Sequence, residues 1–311
     1  MEIVTLENDH LKILIAPRYG AKIIEMWDKK ANYQWLWVDG SRKIRDRKFG
    51  DAFDAHDISG FDECFPNIGV SSYPLDEDKA LPDHGDLWTQ PCSWTATEEA
   101  CVTTIKGKSF NYTFKRSLRL IKNSVKFEYE IVNKGPLDFY AFWSAHPLLK
   151  AFDGMKIEIH GNPKMTKEFG FSQRLGADGE DGYEGHLDPY VWPYSTSADG
   201  SSHDLSLIDT SKAITDKVVL RSPMDGVVKL LNPHIGCSLK FEFNPLDVPF
   251  VGICYNLNAW PFVGEKGCWL AIEPTQGATD RLDEAMQMGA ALKFMMNKKV
   301  NFELCLTLEQ I

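Results

Sequence analysis

Two ionisable residues stand where predicted buried strands end, and together they could carry out proton transfer. His146 follows an aromatic, apolar run and precedes Pro147, which places its imidazole where a strand gives way to a turn. Glu273 closes the apolar run CWLAI and precedes Pro274, and a carboxylate buried there is costly unless it is hydrogen-bonded or functional. Structural histidines and salt-bridged glutamates are common at strand ends, so neither residue identifies a site by itself. As a pair, an imidazole and a carboxylate are suited to general acid and general base catalysis.

Four segments combine ionisable residues with Gly, Pro and Trp in a chain otherwise patterned for burial: GFDECFPNIG (60–69), PDHGDLW (82–88), FWSAHPLL (142–149) and WLAIEPTQGATD (269–280). The first contains Cys64, which we interpret as a small buried residue and not as a nucleophile. The seven cysteines lie singly, without a CxxC motif or a Cys/His cluster of metal-ligand spacing. They predict free thiols in a reducing cytoplasm, and no metal site.

Period-two alternation of apolar and charged residues dominates the elements that must position these groups. It is clearest in SVKFEYEIV (124–132), CSLKFEF (237–243) and NFELCLTLE (301–309), where it predicts half-buried antiparallel strands. Residues 1–17 carry charges within their apolar run and predict a strand pair, not a signal peptide. Turn signals such as Asn-Pro separate the strands, and only DRLDEAMQMG (280–289) resembles a helix. These features predict an all-β fold, a sandwich or a barrel, with very little helix.

Length and charge limit the functional classes. The 311 residues could form two ordinary domains or one large all-β domain, and because no linker or internal repeat interrupts them, we predict a single domain over residues 1–311. The formal net charge of -10, without a Lys/Arg-rich run, argues against nucleic acid and anionic membranes as partners. No segment reaches the roughly 20 apolar residues that span a bilayer, and we expect a cytoplasmic protein. The Gly-, Asp- and Ser-rich segment 176–204 predicts a long surface loop, with a lid or a partner contact as the alternative.

Together, these segments resemble the aldose 1-epimerase (galactose mutarotase-like) superfamily, and particularly its glucose-6-phosphate 1-epimerase-like branch. The resemblance covers most of the chain in order. SGFDECFPNIG (59–69) stands in place of the family's Gly-Gly-x-Pro-x-x-(Phe/Trp)-Pro segment and PDHGDLW in place of its His-Gly segment. NKGPLDFYAFWSAHPLL (133–149) resembles the strand that ends in its second histidine, ITDKVVL (214–220) its Thr-Asp-(Arg/Lys) segment, and CWLAIEP (268–274) the strand bearing its glutamate. The family fold is a large antiparallel β-sandwich, which agrees with the strand pattern.

The resemblance implies a mutarotase, which interconverts the α and β anomers of an aldose by acid/base ring opening. Glu273 would be the general base and His146 the general acid. His84 and Asp216 would hold sugar hydroxyls, and Asn256, in the place of the family's Trp-Asn-Pro turn, would orient or line the site. A carboxylate and an imidazolium on opposite sides of the sugar suffice for this chemistry, and reference pKa values of about 4.3 and about 6.5 let both charged forms coexist near neutral pH. No metal or organic cofactor is implied, and the expected partner is a small-molecule sugar.

The chain departs from the sugar-phosphate branch at two positions that concern phosphate binding. Where that branch has arginines beside its Gly-Gly and His-Gly segments, this chain has Ile58 and Trp88, so bidentate phosphate recognition loses its main donors. We therefore expect an unphosphorylated sugar, with Arg281 as the residue that could overturn this expectation. Asp62 and the adjacent Glu63 would add negative charge as acceptors for sugar hydroxyls; the alternative is that they are surface residues or part of a structural ion pair.

Three tryptophans could stack on a pyranose, although core packing is the commoner role for any one of them: Trp88, Trp143 and Trp260. Two other functions stay open. A non-catalytic sugar-binding or regulatory module on the same fold would not speed anomer interconversion. A glycoside hydrolase would need two carboxylates about 5–9.5 Å apart, for which Asp62, Glu63 and Glu273 are available. The sequence indicates neither the sugar nor the oligomeric state.

Overall fold

The computed structural model describes residues 2–40, 45–168, 174–175, 190–197, 200–261 and 266–311. Within these ranges the strands are β1 Val4–Glu7, β2 Leu11–Ala16, β3 Lys22–Asp28, β4 Tyr33–Gln34, β5 Phe61–Cys64, β6 Ser71–Tyr73, β7 Asp76–Leu81, β8 Ser93–Ala96, β9 Ala100–Lys106, β10 Tyr112–Ile121, β11 Ser124–Asn133, β12 Phe139–Ala141, β13 Ser144–Lys150, β14 Lys156–Ile159, β15 Lys164–Lys167, β16 Tyr190–Val191, β17 Tyr194–Thr196, β18 Ser202–Asp204, β19 Ile214–Arg221, β20 Val227–Asn232, β21 Cys237–Phe243, β22 Phe250–Leu257, β23 Cys268–Thr275, β24 Leu292–Phe294 and β25 Lys299–Gln310. The helices there are α1 Leu282–Gln287 and two single 3-10 turns, Phe53–Ala55 and Leu87–Thr89. Of the described residues, about 51% lie in strands and 4% in helices, which confirms the predicted all-β fold.

Two large antiparallel sheets contain most of these strands. In the described residues, the first sheet has 13 strands in the order β1-β2-β3-β5-β13-β23-β22-β19-β15-β16-β17-β18, with β4 paired to β3. The second has eight strands in the order β14-β20-β21-β25-β11-β10-β9-β8. The three alternating patterns form strands β11, β21 and β25 as predicted, and residues 1–17 contain the antiparallel pair β1-β2. Strands β13, β23 and β22 lie in the middle of the first sheet.

The apolar side chains of the two sheets meet in one core. The ring of Phe61 on β5 lies 5.6 Å from that of Phe127 on β11, centroid to centroid, so the two sheets face each other. This arrangement is the predicted large antiparallel β-sandwich. Strands β22 and β23 are buried along nearly their whole length. The core covers one face of these strands, and a second apolar cluster, separate from that core, covers the other.

Glu63, on β5, points into this core. Its Oε1 accepts hydrogen bonds from Arg116 Nη1 and from the Tyr129 hydroxyl, each at 3.0 Å, and its Oε2 accepts one from Trp143 Nε1 at 2.7 Å. All four side chains are buried. Glu63 is therefore a structural ion pair and not an acceptor for sugar hydroxyls, and Trp143 is a core residue and not a stacking platform.

We expect Glu63→Gln to lower the free energy of unfolding by about 3–5 kcal/mol, because it leaves the buried Arg116 charge without its counterion. The measurement is urea unfolding followed by fluorescence. The matched control is Glu128→Gln, which alters an ion pair with Lys126 on the exposed face of β11, where about 0–1 kcal/mol is at stake. Equal losses in the two variants would contradict a structural role for the buried pair.

The described part of segment 176–204 extends the first sheet. Strands β16, β17 and β18 follow β15 at its edge, and Trp192 between β16 and β17 is buried. The expectation of a long surface loop was therefore wrong for this part; residues 176–189 and 198–199 lie outside the described residues. Of the helices in the ranges given above, none has the length and apolar character that crossing a bilayer requires.

Candidate active site

A pocket of about 280 Å³ opens on the face of the first sheet that points away from the core. Its apolar lining includes Phe53, Ile58, Leu148, Trp260 and Trp269, and its ionisable lining includes His84, His146, Lys217, Glu273 and Asp280. A wider groove of about 820 Å³ lies along the second sheet. There, however, charged residues pair with one another at the surface, as Lys126 and Glu303 do at 2.9 Å. The smaller pocket combines apolar walls with converging ionisable groups, which is typical of small-molecule sites.

His146 and Glu273 are neighbours because of strand register. Strands β13 and β23 pair Ser144 with Thr275 and Leu148 with Ala271, so His146 lies opposite Glu273 on the same face. His146 Nε2 lies 3.7 Å from Glu273 Oε1. The two groups stand side by side on the pocket floor, and the expectation that a sugar lies between them was wrong.

Two features of the neighbouring strands hold the Glu273 carboxylate. Lys217 Nζ on β19 donates to Oε2 at 2.8 Å, while Oε1 has no hydrogen-bond partner among the described residues. Gly252 lies opposite Glu273 on β22, and a Cβ there would come within 2.9 Å of Oε2. The glycine thus leaves room for the carboxylate, and the lysine binds Oε2, which leaves Oε1 buried without a hydrogen-bond partner among the described residues.

His84 also lies on the ionisable floor of the pocket, and its contact with a sugar hydroxyl stays a prediction. Its backbone is left-handed, with φ +55°, and its Nδ1 lies 2.8 Å from Asp83 Oδ1. The ring stacks on Phe53 at 3.9 Å and meets the edge of the His146 ring at 4.8 Å, centroid to centroid. The structure therefore brings together His84, His146 and Glu273.

Burial and nearby charges shift the proton affinities of the pair. Burial, together with the positive charge of neighbouring groups, lowers the pKa of His146 well below its ordinary value. Burial also raises the pKa of Glu273, against the favourable charge of Lys217. Although burial disfavours its charge, the carboxylates of Asp280 and Glu273 hold the pKa of Lys217 well above its ordinary value. These shifts oppose the expected coexistence of a carboxylate and an imidazolium, because burial disfavours the charged form of both groups.

Asp62 lies on the same face but outside the pocket lining. It pairs with His146 across β5 and β13, yet its carboxylate forms a buried ion pair with Lys22, and both side chains are almost fully inaccessible. The Nζ of Lys22 in turn lies 5.9 Å from the centre of the Phe53 ring. The expected contact of Asp62 with a sugar hydroxyl is therefore wrong. Asp62 is a structural ion-pair partner behind the site, because Lys22 already occupies its carboxylate.

Asp216 is likewise not brought to the pocket. It is fully buried and accepts hydrogen bonds from Arg174 Nε at 2.7 Å and from the Leu175 backbone N–H at 3.1 Å. Its expected contact with a sugar hydroxyl is not supported by this position. Asn256 does not line the pocket either, but it bonds both the backbone N–H and the carbonyl of Trp260 at 2.8 Å. It thereby orients the turn that places Trp260 on the pocket wall.

The residues tied to the phosphate expectation lie in different places. Ile58 lines the pocket, while Trp88 is buried behind Phe53 and donates its indole N–H to the Asp83 carbonyl. Arg281 does not line the pocket; its side chain is 45% exposed and pairs with acidic residues of its own helical turn. Cys64 is fully buried, as predicted, and burial raises the pKa of its thiol well above the ordinary value.

Sequence reasoning missed Lys217 and Asp280. Lys217 Nζ lies 2.8 Å from Asp280 Oδ1 as well as from Glu273. The alternation in ITDKVVL could have identified Lys217. Val218 and Leu220 are core residues and share a face of the strand with Asp216, so Lys217 lies on the opposite face. As for metals, the described residues contain no group of three or more His, Cys, Asp or Glu side chains arranged to hold an ion.

No protein-family model matches the chain, and no curated protein is similar to it. Solved structures do resemble it. A galactose mutarotase related enzyme from Lactobacillus acidophilus superposes with a TM-score of 0.69 at 15% identity, over 99% of this chain and 98% of that one. A galactose mutarotase-like protein from Lactobacillus casei gives 0.67 at 18% identity, over 99% and 100%, and one from Clostridium acetobutylicum gives 0.66 at 12%, over 99% and 95%. The fold is therefore that of a galactose mutarotase-like β-sandwich.

Proposed function

We propose that the protein is an aldose 1-epimerase, which interconverts the α and β anomers of an unphosphorylated aldose. The observation that carries this proposal is the pair formed by Glu273 Oε1, which lacks a hydrogen-bond partner in the described structure, and His146 Nε2 at 3.7 Å on the floor of an apolar pocket. The anomeric hydroxyl and the ring oxygen are bonded to the same sugar carbon. Two groups that stand side by side can therefore reach both atoms from one side of the ring.

In the proposed reaction Glu273 takes the proton of the anomeric hydroxyl while His146 gives a proton to the ring oxygen, and the bond from the anomeric carbon to the ring oxygen breaks. Rotation of the aldehyde and the reverse proton transfers close the ring as the other anomer. The shifted pKa values make Glu273 a stronger base and His146 a stronger acid than usual. The corresponding drawback is that fewer molecules hold the reactive protonation state at a given pH.

The charge of the pocket supports a substrate without phosphate. Among the described lining residues, the carboxylates of Asp54, Asp83, Glu273 and Asp280 outnumber the single lysine, and arginine is not represented. A phosphate would meet net negative charge and would lack a bidentate donor. Of the carboxylates considered for glycoside hydrolysis from the sequence, Asp62 and Glu63 are buried in ion pairs, which weakens that alternative.

We expect purified protein to speed the change in optical rotation of freshly dissolved α-D-glucose or α-D-galactose. For α-D-glucose 6-phosphate we expect kcat/KM to be about 10- to 100-fold lower, about 1.4–2.8 kcal/mol, because its phosphate meets the carboxylates of the pocket without a bidentate donor. Polarimetry measures all three sugars. Binding of a sugar without any acceleration would identify a non-catalytic module instead, and faster turnover of the phosphorylated sugar would refute the substrate assignment.

A further inference from the structure

We propose that Asp280, held in place by Lys217, anchors a sugar hydroxyl in this pocket, in the role that the family resemblance implied for Asp216. The inference rests on the proposed function, since it concerns how the same pocket holds an aldose. It assigns to this chain an anchor built from an ion pair on the pocket wall.

The Asp280 carboxylate lines the pocket and has capacity to accept a hydrogen bond. Its Oδ1 lies 2.8 Å from Lys217 Nζ in an ion pair, while the Asp280 side chain as a whole stays 19% exposed. An ionised carboxylate can accept about four hydrogen bonds, so its contact with one lysine leaves capacity to accept another donor from the pocket. A sugar hydroxyl is a suitable donor, because it can rotate to meet the acceptor.

The backbone around Asp280 is fixed, so the carboxylate is positioned before a ligand binds. Its carbonyl accepts hydrogen bonds from the backbone N–H groups of Ile68 and Gly69, at 3.1 and 2.7 Å. Its own N–H donates to Glu168 Oε2 at 3.3 Å. Ile68 and Gly69 also line the pocket. The same hydrogen bonds therefore fix the position of the Asp280 backbone relative to this part of the pocket wall.

Lys217 connects this acceptor to the acid/base pair. Because Nζ lies 2.8 Å from both Glu273 Oε2 and Asp280 Oδ1, the two carboxylates keep a fixed separation across it. A sugar whose anomeric hydroxyl meets Glu273 Oε1 therefore presents a neighbouring hydroxyl toward Asp280. The geometry makes Asp280 a binding residue and Lys217 a positioning residue for Glu273.

The test compares Asp280→Asn with Asp216→Asn in the whole 311-residue chain. Asp216 receives the same chemical change, but it lies outside the pocket lining. Binding of D-glucose and D-galactose is measured by calorimetry, and turnover by polarimetry across pH. We expect Asp280→Asn to weaken binding by about 10- to 100-fold, the range for a hydrogen bond to a charged group, and Asp216→Asn to bind within about 2-fold of wild type. The charge of Asp280 raises the pKa of Glu273, so its loss also moves the low-pH limb of the activity profile to lower pH, a change that a purely structural defect would not produce.

Asp280→Glu serves as a second variant if Asp280→Asn does not fold. It keeps the negative charge but displaces the accepting oxygen, so we expect the same loss of sugar binding. If Asp280→Asn binds as wild type while wild type turns over aldoses, the anchor is overturned and the proposed function stands. If wild type binds sugar without turnover, the proposed function fails, and the binding ratio of the two variants still decides the anchor. Failure of wild type to bind either sugar overturns both.

Discussion

Glu273→Gln is expected to slow anomer interconversion by about 10²- to 10⁴-fold, the usual contribution of a positioned general base. The amide is close to the carboxylate in size and fits beside Gly252, but it cannot take the anomeric proton. It also replaces one of the two carboxylates that Lys217 contacts, so Lys217 keeps Asp280 as its counterion. The initial rate of change in optical rotation of fresh α-D-galactose measures the effect.

The control for this variant is Glu128→Gln, the same substitution on the exposed face of β11. It should leave the rate unchanged. Thermal unfolding of both variants separates a catalytic loss from a folding defect. Activity of Glu273→Gln within a few-fold of wild type would remove the basis of the proposed mechanism.

His146→Asn should cause a loss of similar size, about 10²- to 10⁴-fold, because it removes the proposed proton donor to the ring oxygen. Asparagine keeps part of the shape of the imidazole but has no proton to transfer near neutral pH. His160→Asn is the matched control, since that histidine is 77% exposed and pairs with Asp225 away from the pocket. Polarimetry compares the two variants at several pH values.

The pH profile gives this second prediction a further readout. The catalytic pair needs one proton in total, so wild-type activity should fall on the acid side, where both residues are protonated, and on the alkaline side, where neither is. Because burial raises the pKa of Glu273, the acid limb should lie above the range of an ordinary glutamate. His146→Asn should lose the bell shape along with the rate. An unchanged bell in that variant would show that another residue donates the proton.

The fold was predictable because one face of most strands is buried. In β11 the residues Val125, Phe127, Tyr129 and Ile131 alternate with charged ones, and a pattern of period two has one simple structural meaning. The strands β22 and β23 lack this alternation, since the core covers one face and the pocket residues cover the other. Their position in the middle of the sheet could be inferred only from their apolar character.

The site was predictable in part. His84, His146 and Glu273 lie together as expected, because each terminates or follows an element whose type the sequence reveals. Asp216 and Lys217 show the limit of the method, since adjacent strand residues point to opposite faces and a resemblance does not say which face is the pocket. Asp62 shows another limit: its face is the right one, but its pairing with Lys22, 40 residues earlier in the chain, depends on the order of strands in the sheet.

The register of β13 against β23 fixes the distance between the acid and the base without any loop movement. The entropy of bringing together two residues that are far apart in the sequence, His146 and Glu273, is lost once, during folding, and not at every encounter with a sugar. A slip of either strand by one residue would turn one partner toward the opposite side of the sheet. In the proposed mechanism, the hydrogen-bond ladder of the central strands therefore sets the reaction geometry, and mutations that loosen this ladder at a distance should reduce turnover before they unfold the protein.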